Sequence, residues 1–127
     1  MVGLTIEAVG EALVFAAKAG VDPGKVREAL LGGFAQSRVL ELHGQRMLER
    51  NFKPGGKAKL HQKDTENALS SAKELGIPLP GTALVDQMWK ALAARGSDEL
   101  DHSALVTILE AMAKIEVRNR SGRCSRA

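Results

Sequence analysis

Apolar residues from Val2 to Ala19 face nearly every direction around a helical axis, with only Thr5, Glu7, Glu11 and Lys18 interrupting them. Such a segment predicts a helix over 2–19 that is covered on several sides, with Gly20 as its C-terminal cap. Asp22-Pro23 opens a second helix, Asp22 as N-cap and Pro23 at the first helical position, running to Gly32-Gly33. A shorter helix is expected over roughly 35–49. Pro54-Gly55-Gly56 forms a turn, and a helix over about 58–75 follows, with Leu60, Ala68, Leu69, Ala72 and Leu75 as its buried stripe and Gly76 at its end. Pro78 and Pro80 stiffen the connection to a helix over 81–95, which holds Leu84, Met88, Trp89 and Leu92. The last helix runs from Ser103 to about Val117, packed through Leu105, Ile108, Leu109, Met112 and Ile115, with Asp101 or His102 capping its start. No segment alternates in the manner of a strand and none repeats, so the expected architecture is an all-α domain of five to seven helices.

Composition sharpens this picture. The 127 residues are 44% hydrophobic but only 3% aromatic, without tyrosine, so Ala and Leu carry the packing, which favours helices. No apolar run is long enough to span a membrane, and Met1 to Leu4 lacks the basic start of a signal peptide. A lone cysteine, Cys124, permits no internal disulfide and fits a cytoplasmic protein. The net charge of +3 belongs to the end of the chain: without Arg118, Arg120, Arg123 and Arg126, 14 basic groups face 15 acidic ones. A near-neutral body over 1–117 and a basic, flexible tail over 118–127 follow. With no basic stripe on the body and few aromatics for base stacking, nucleic acid is not the expected partner.

Few patterns carry chemistry. His43, His61 and His102 are far apart in sequence and none lies in a metal-ligand spacing, so each reads as a solvated or capping histidine and no metal is expected. Asp101, His102 and Ser103 are adjacent, which suits a loop and cap better than a catalytic triad. Neither GxGxxG nor GxxxxGK[ST] occurs, so no loop cradles phosphate. There remains Lys63-Asp64, one turn into the fourth helix after a rigid turn. Spacing alone allows two solvated neighbours, or weak helical pairs such as Lys63 with Glu66 or Lys59 with Asp64.

Five stretches in one order change that reading: "EALVFAAKAGVDPGKVREALLGGFAQSRVL", "MLERNFKPG", "LHQKDTENAL", "LPGTALVDQMWKAL" and "DHSAL". Together they resemble the C-terminal helical domain of the β-hydroxyacid dehydrogenases, of 6-phosphogluconate dehydrogenase-like type, over residues 2–117. Within that family the likeness is to the 2-hydroxy-3-oxopropionate (tartronate semialdehyde) reductases, with the 3-hydroxyisobutyrate dehydrogenases next. The resemblance implies an NAD or NADP cofactor, a small semialdehyde or hydroxyacid substrate, and a homo-oligomer built through this domain. It also implies a preceding Rossmann domain and a catalytic lysine that would fall before Met1. A first helix lacking any start signal is consistent with a C-terminal fragment that binds no cofactor tightly alone. Carried over residue by residue, Lys63 matches the lysine at the nicotinamide end of the cofactor, and Asp64 the aspartate supporting the catalytic lysine. Gly56 stands where the family has Phe, an apolar wall beside the substrate, and Thr65 where it has Leu.

Overall fold

The computed structural model describes residues 1–119; the remainder of the arginine-rich tail, with Cys124, lies outside the described residues. Six α-helices run in the order α1 (Val2–Lys18), α2 (Pro23–Leu31), α3 (Arg38–Glu49), α4 (Ala58–Leu75), α5 (Pro80–Ala94) and α6 (Val106–Ala113), with a 3-10 turn at His102–Leu105 before α6. The described residues contain no strand, only a single antiparallel bridge between Lys57 and Asp101. The fold is all-α, as the periodicity predicts.

Local chemistry sets the boundaries. Gly20 adopts φ +81°, and Val21 N–H closes back on Ala16 O at 3.0 Å. Gly76 does the same at φ +69°, with Ile77 N–H on Ala72 O at 3.0 Å. Both are left-handed endings in which glycine avoids a Cβ clash. Asp22 Oδ1 accepts from Gly24 N–H at 2.9 Å. Ser37 Oγ accepts from Leu40 N–H at 2.9 Å, which starts α3 three residues later than the pattern suggests.

The central element is α1, packed against α2, α3, α5, α6 and the 3-10 turn. Ile6 and Leu13 are fully buried, joined in the core by Leu40, Met47, Trp89, Leu92, Leu105 and Val106. Gly10 permits the closest approach: a Cβ there would lie 2.8 Å from Leu109 Cδ1 on α6. Complete cover of α1 does not occur, for Phe15 is 77% exposed.

Two packing expectations and one helix boundary are corrected. Of the α4 stripe only Ala72 is buried; Leu60 and Leu75 are exposed, Ala68 is exposed and Leu69 half-buried. The reason is position: α4 packs against α5 and the 3-10 turn at the edge of the bundle, so only a narrow face with small residues is covered. Met112 is exposed rather than packed. The last helix ends at Ala113, where Lys114 turns left-handed at φ 52°, and its first residues wind as the 3-10 turn instead.

Candidate functional site

Asp101 organises the region around Pro54-Gly55-Gly56. Its Oδ1 accepts from Gly55 N–H at 3.0 Å and Gly56 N–H at 3.2 Å. Its Oδ2 accepts from Ser103 N–H at 3.0 Å and Ser103 Oγ–H at 2.5 Å, so Asp101 is the cap of the 3-10 turn. Arg46 Nη1 stands 3.4 Å from Oδ1. Burial works against the charge on Asp101, but the bonds from Ser103, Gly56 and Gly55 outweigh it and hold the carboxyl down to about 2. The same loop starts α4 without a side-chain cap: Leu100 O accepts from Ala58 N–H at 2.9 Å and Asp98 O from Lys59 N–H at 3.0 Å.

This knot brings the histidines together, correcting their reading as separate solvated or capping residues. His61 Nε2 lies 2.6 Å from His102 Nδ1, and His102 Nε2 lies 3.0 Å from His43 Nε2. His61 stacks on Trp89 with centroids 5.2 Å apart and 21° between planes, while His43 meets His102 edge-on. All three are half-buried, and burial lowers the pKa of each. For His43 the charge of Asp101 opposes the shift, and for His61 that of Asp64 does. His102 falls to about 4, from burial and then from His43 beside it.

His43, His102 and Asp101 bring one ligand atom each within 4.8 Å of one another. This donor set does not suit a cation. The oxygens of Asp101 are already taken by four hydrogen bonds, and the Arg46 guanidinium stands beside them. His102 offers one nitrogen to each neighbour, so the imidazoles form a row and do not converge on one point.

Two hollows flank the row. One, of about 670 Å³, opens beside Arg27, His43, Arg46 and His102. The other, of about 340 Å³, lies at the start of α1 against Gly3, His61, Asp64, Thr65 and Thr82. Asp64 therefore lines a concave surface together with His61, one turn before it. Lys63 is exposed and points to neither of these two linings; neither helical pair forms, as Lys59 binds Glu99 instead. Thr65 Oγ1 shares its one proton between two acceptors, the buried Asp86 Oδ1 at 2.8 Å and Gln62 O at 2.9 Å, with Lys90 on the other Asp86 oxygen at 2.8 Å. Beside Gly56 lies the His102 ring, 3.2 Å from where a Cβ would sit. Sequence reasoning missed the histidine row and Asp86. The available signal was that all three histidines fall inside or beside the five quoted stretches.

The model of a family described as NAD-binding of NADP-dependent 3-hydroxyisobutyrate dehydrogenase matches residues 1–109. The 2-hydroxy-3-oxopropionate reductase of Escherichia coli (strain K12) is 58% identical over 113 residues, 89% of this chain and 39% of that protein. A probable 3-hydroxyisobutyrate dehydrogenase-like 1, mitochondrial, of Arabidopsis thaliana is 37% identical over 86% of this chain and 33% of its own length. Among solved structures, 3-hydroxyisobutyrate dehydrogenase from Salmonella typhimurium superposes with a TM-score of 0.81 at 25% identity, covering 84% of this chain and 38% of that one. The chain spans well under half the length of the curated relatives it matches. In fold, in sequence and over nearly all of its described length, the chain belongs to the hydroxyacid dehydrogenase family whose model is that of NADP-dependent 3-hydroxyisobutyrate dehydrogenase.

Proposed function

We propose that the chain is the helical, substrate-side part of an NAD(P)-dependent 2-hydroxy-3-oxopropionate reductase, and is inactive by itself. The observation that carries this reading is a hollow shared by Asp64 and His61, in a chain 58% identical to that reductase of E. coli. The nicotinamide, when bound, supplies the hydride that reduces the semialdehyde to D-glycerate. The described residues fit one edge of a dinucleotide: the exposed ammonium of Lys63 and the rim at Asp64 and Thr82, with no glycine-rich cradle for a pyrophosphate. Lys63 is the cofactor-facing cation. Asp64 is the supporting carboxylate for a catalytic lysine that the resemblance puts before Met1. A cytoplasmic enzyme is the setting this reading assumes; no helix among the described residues is long and apolar enough to cross a membrane.

The test is a chimaera in which this chain replaces the matching stretch of the E. coli reductase. It is expected to reduce the semialdehyde, while the chain alone oxidises neither NADH nor NADPH. An inactive but folded chimaera, or turnover by the isolated chain, overturns the reading.

Assembly is a second proposal. Phe15 and Met112 are exposed, and a largely apolar groove runs between α1 and α6 past Val14, Phe15, Leu109 and Ala113. Exposed apolar surface of this kind favours a homo-oligomer. Light scattering is expected to give a mass above that of one chain; a monomer at every concentration rejects it.

A further inference from the structure

Three imidazoles in a row share two protons, and the ends of the row decide where those protons sit. At one end His43 Nδ1 is buried and has no partner. A buried N–H without an acceptor is costly, and Trp89 Nε1–H beside His61 is already one such group here; a proton on His43 Nδ1 would add a second, whereas a bare acceptor there adds none. His43 therefore carries its proton on Nε2 and donates it to His102 Nε2, 3.0 Å away. Accepting at Nε2, a neutral His102 carries its proton on Nδ1 and donates to His61 Nε2 at 2.6 Å. His61, accepting in turn, is left with its proton on Nδ1.

That last nitrogen sits beside α1, 3.8 Å from where a Cβ on Gly3 would lie. Its residue lines the hollow at the start of α1, and Nδ1 itself makes no hydrogen bond among the described residues. The row must remain neutral for this wiring. Burial favours neutrality at all three rings. Of the charges that face the row, Arg46 on α3 and the Met1 amino group also favour it, while Asp64 on α4 and Asp101 oppose it. Trp89 stacks on His61 and fixes the plane of the ring.

We propose that His61 is a ligand-binding donor of this hollow, its Nδ1–H hydrogen-bonded to an oxygen of a small hydroxyacid or oxoacid. His102 and His43 are then positioning residues that hold His61 in the donating tautomer. The ligand class rests on the function proposed above; the tautomer assignment rests on the row alone.

The chain has three histidines, all in the row, so long-range ¹H–¹⁵N spectra of the labelled full chain report nothing else. Near neutral pH the expected pattern is Nε2–H for His43 and Nδ1–H for His102 and His61. His43→Leu removes the donor that fixes the sequence, and is expected to lower the Nδ1–H population of His61 about twofold or more. D-Glycerate is the ligand probe. It is expected to move the His61 Nδ1–H signal with the Asp64 and Thr65 amides. His61→Asn, whose amide N–H can stand near Nδ1, should bind within about threefold of the original, while His61→Gln should bind about tenfold or more weakly.

The Nε2–H tautomer at His61 overturns the proposal. So does glycerate that shifts Asp64 and Thr65 but leaves His61 untouched and binds His61→Gln equally well. Glycerate that shifts nothing in the hollow, with the tautomers as expected, overturns the hydroxyacid reading and the ligand assigned to His61 with it.

Discussion

Two polar clusters tie the helices of this bundle together, and they are built on opposite terms. At the end of α3, Arg50 grips Glu110 with two parallel bonds of 2.8 and 3.0 Å. It also donates to Val117 O at 3.1 Å and pairs with Glu116 at 2.8 Å, while Val117 N–H donates to Glu110 at 2.5 Å. Both carboxylate oxygens of Glu110 are engaged. The histidine row, by contrast, leaves a nitrogen without a partner at each end. A saturated clamp fixes structure, as charges paired in this geometry resist separation. A row with open ends keeps hydrogen-bonding capacity for something else. The clamp also offsets a local strain, since Arg50 is a non-glycine residue at φ 56°, a conformation that costs about 1 kcal/mol or more.

The sharpest way to separate the two is to cut the clamp. Glu110→Ala removes the carboxylate and leaves Arg50 half-buried beside Val117. A loss of about 3–5 kcal/mol is expected in urea unfolding. The folded fraction should keep the histidine tautomers, because the clamp shares no hydrogen bond with the row. A change in those tautomers would make the two clusters one unit.

Acid should act on the row. The pKa of His102 is depressed to about 4 in the fold, against about 6.5 unfolded. Between those values the unfolded chain binds a proton that the folded chain does not. The stability gained by keeping His102 neutral is therefore complete above about pH 6.5 and is lost as pH falls towards 4, by on the order of 2 kcal/mol. Asp101 adds a separate loss lower down, as pH falls from its ordinary range towards about 2. Glu7 works the other way. Burial, then its hydrogen bond and repulsion with Glu11, push it up to about 7. The folded chain then holds the extra proton, and stability falls as pH rises through that range. Glu7→Gln removes the opposing slope, so denaturation of that variant between pH 7 and about pH 5.5, above the range where the depressed carboxyls of Glu99, Glu116 and Asp101 contribute, should display the histidine effect. A flat curve there would contradict the neutral row.

The helices were legible in the sequence because their signals are local. Asp22-Pro23, Gly20 and Gly76 mark ends by chemistry within a few residues, and α4 was delimited correctly at 58–75. The two clusters were not legible, because their members meet across long separations. His61 and His102 are 41 residues apart, His102 and His43 59, and Arg50 and Glu110 60. Spacing in sequence excluded a metal motif but said nothing of convergence in space. The α4 stripe failed for a related reason: periodicity finds an apolar face but not what covers it. Resemblance supplied Lys63 and Asp64 but not His61, which lies two and three residues before them on the same helix.

A smaller effect tests how α4 is held beside the row. Thr65 Oγ1 is the partner of one oxygen of the buried Asp86. Thr65→Val keeps the shape and removes the hydroxyl, leaving that oxygen unsatisfied, and should cost about 1–3 kcal/mol in thermal or urea unfolding. Thr65→Ser should recover most of it. No difference between Val and Ser at this position would mean that packing, and not the bond, fixes α4.

The smallest effect on stability belongs to Lys63, and its smallness is the informative part. Its side chain is exposed, and it makes no hydrogen bond or ion pair among the described residues. Lys63→Ala should therefore change the unfolding free energy by no more than about 0.5 kcal/mol. Removing a cation that the fold does not use can only be felt by whatever the fold presents it to. In the chimaeric reductase the same change should lower kcat/KM by about tenfold or more, mostly through a raised KM for the nicotinamide cofactor. Lys63→Arg keeps the charge but not the compact ammonium, and should fall between the two. If Lys63→Ala leaves both stability and cofactor KM unchanged, the lysine is a solvated neighbour of Asp64 and takes no part in holding the cofactor.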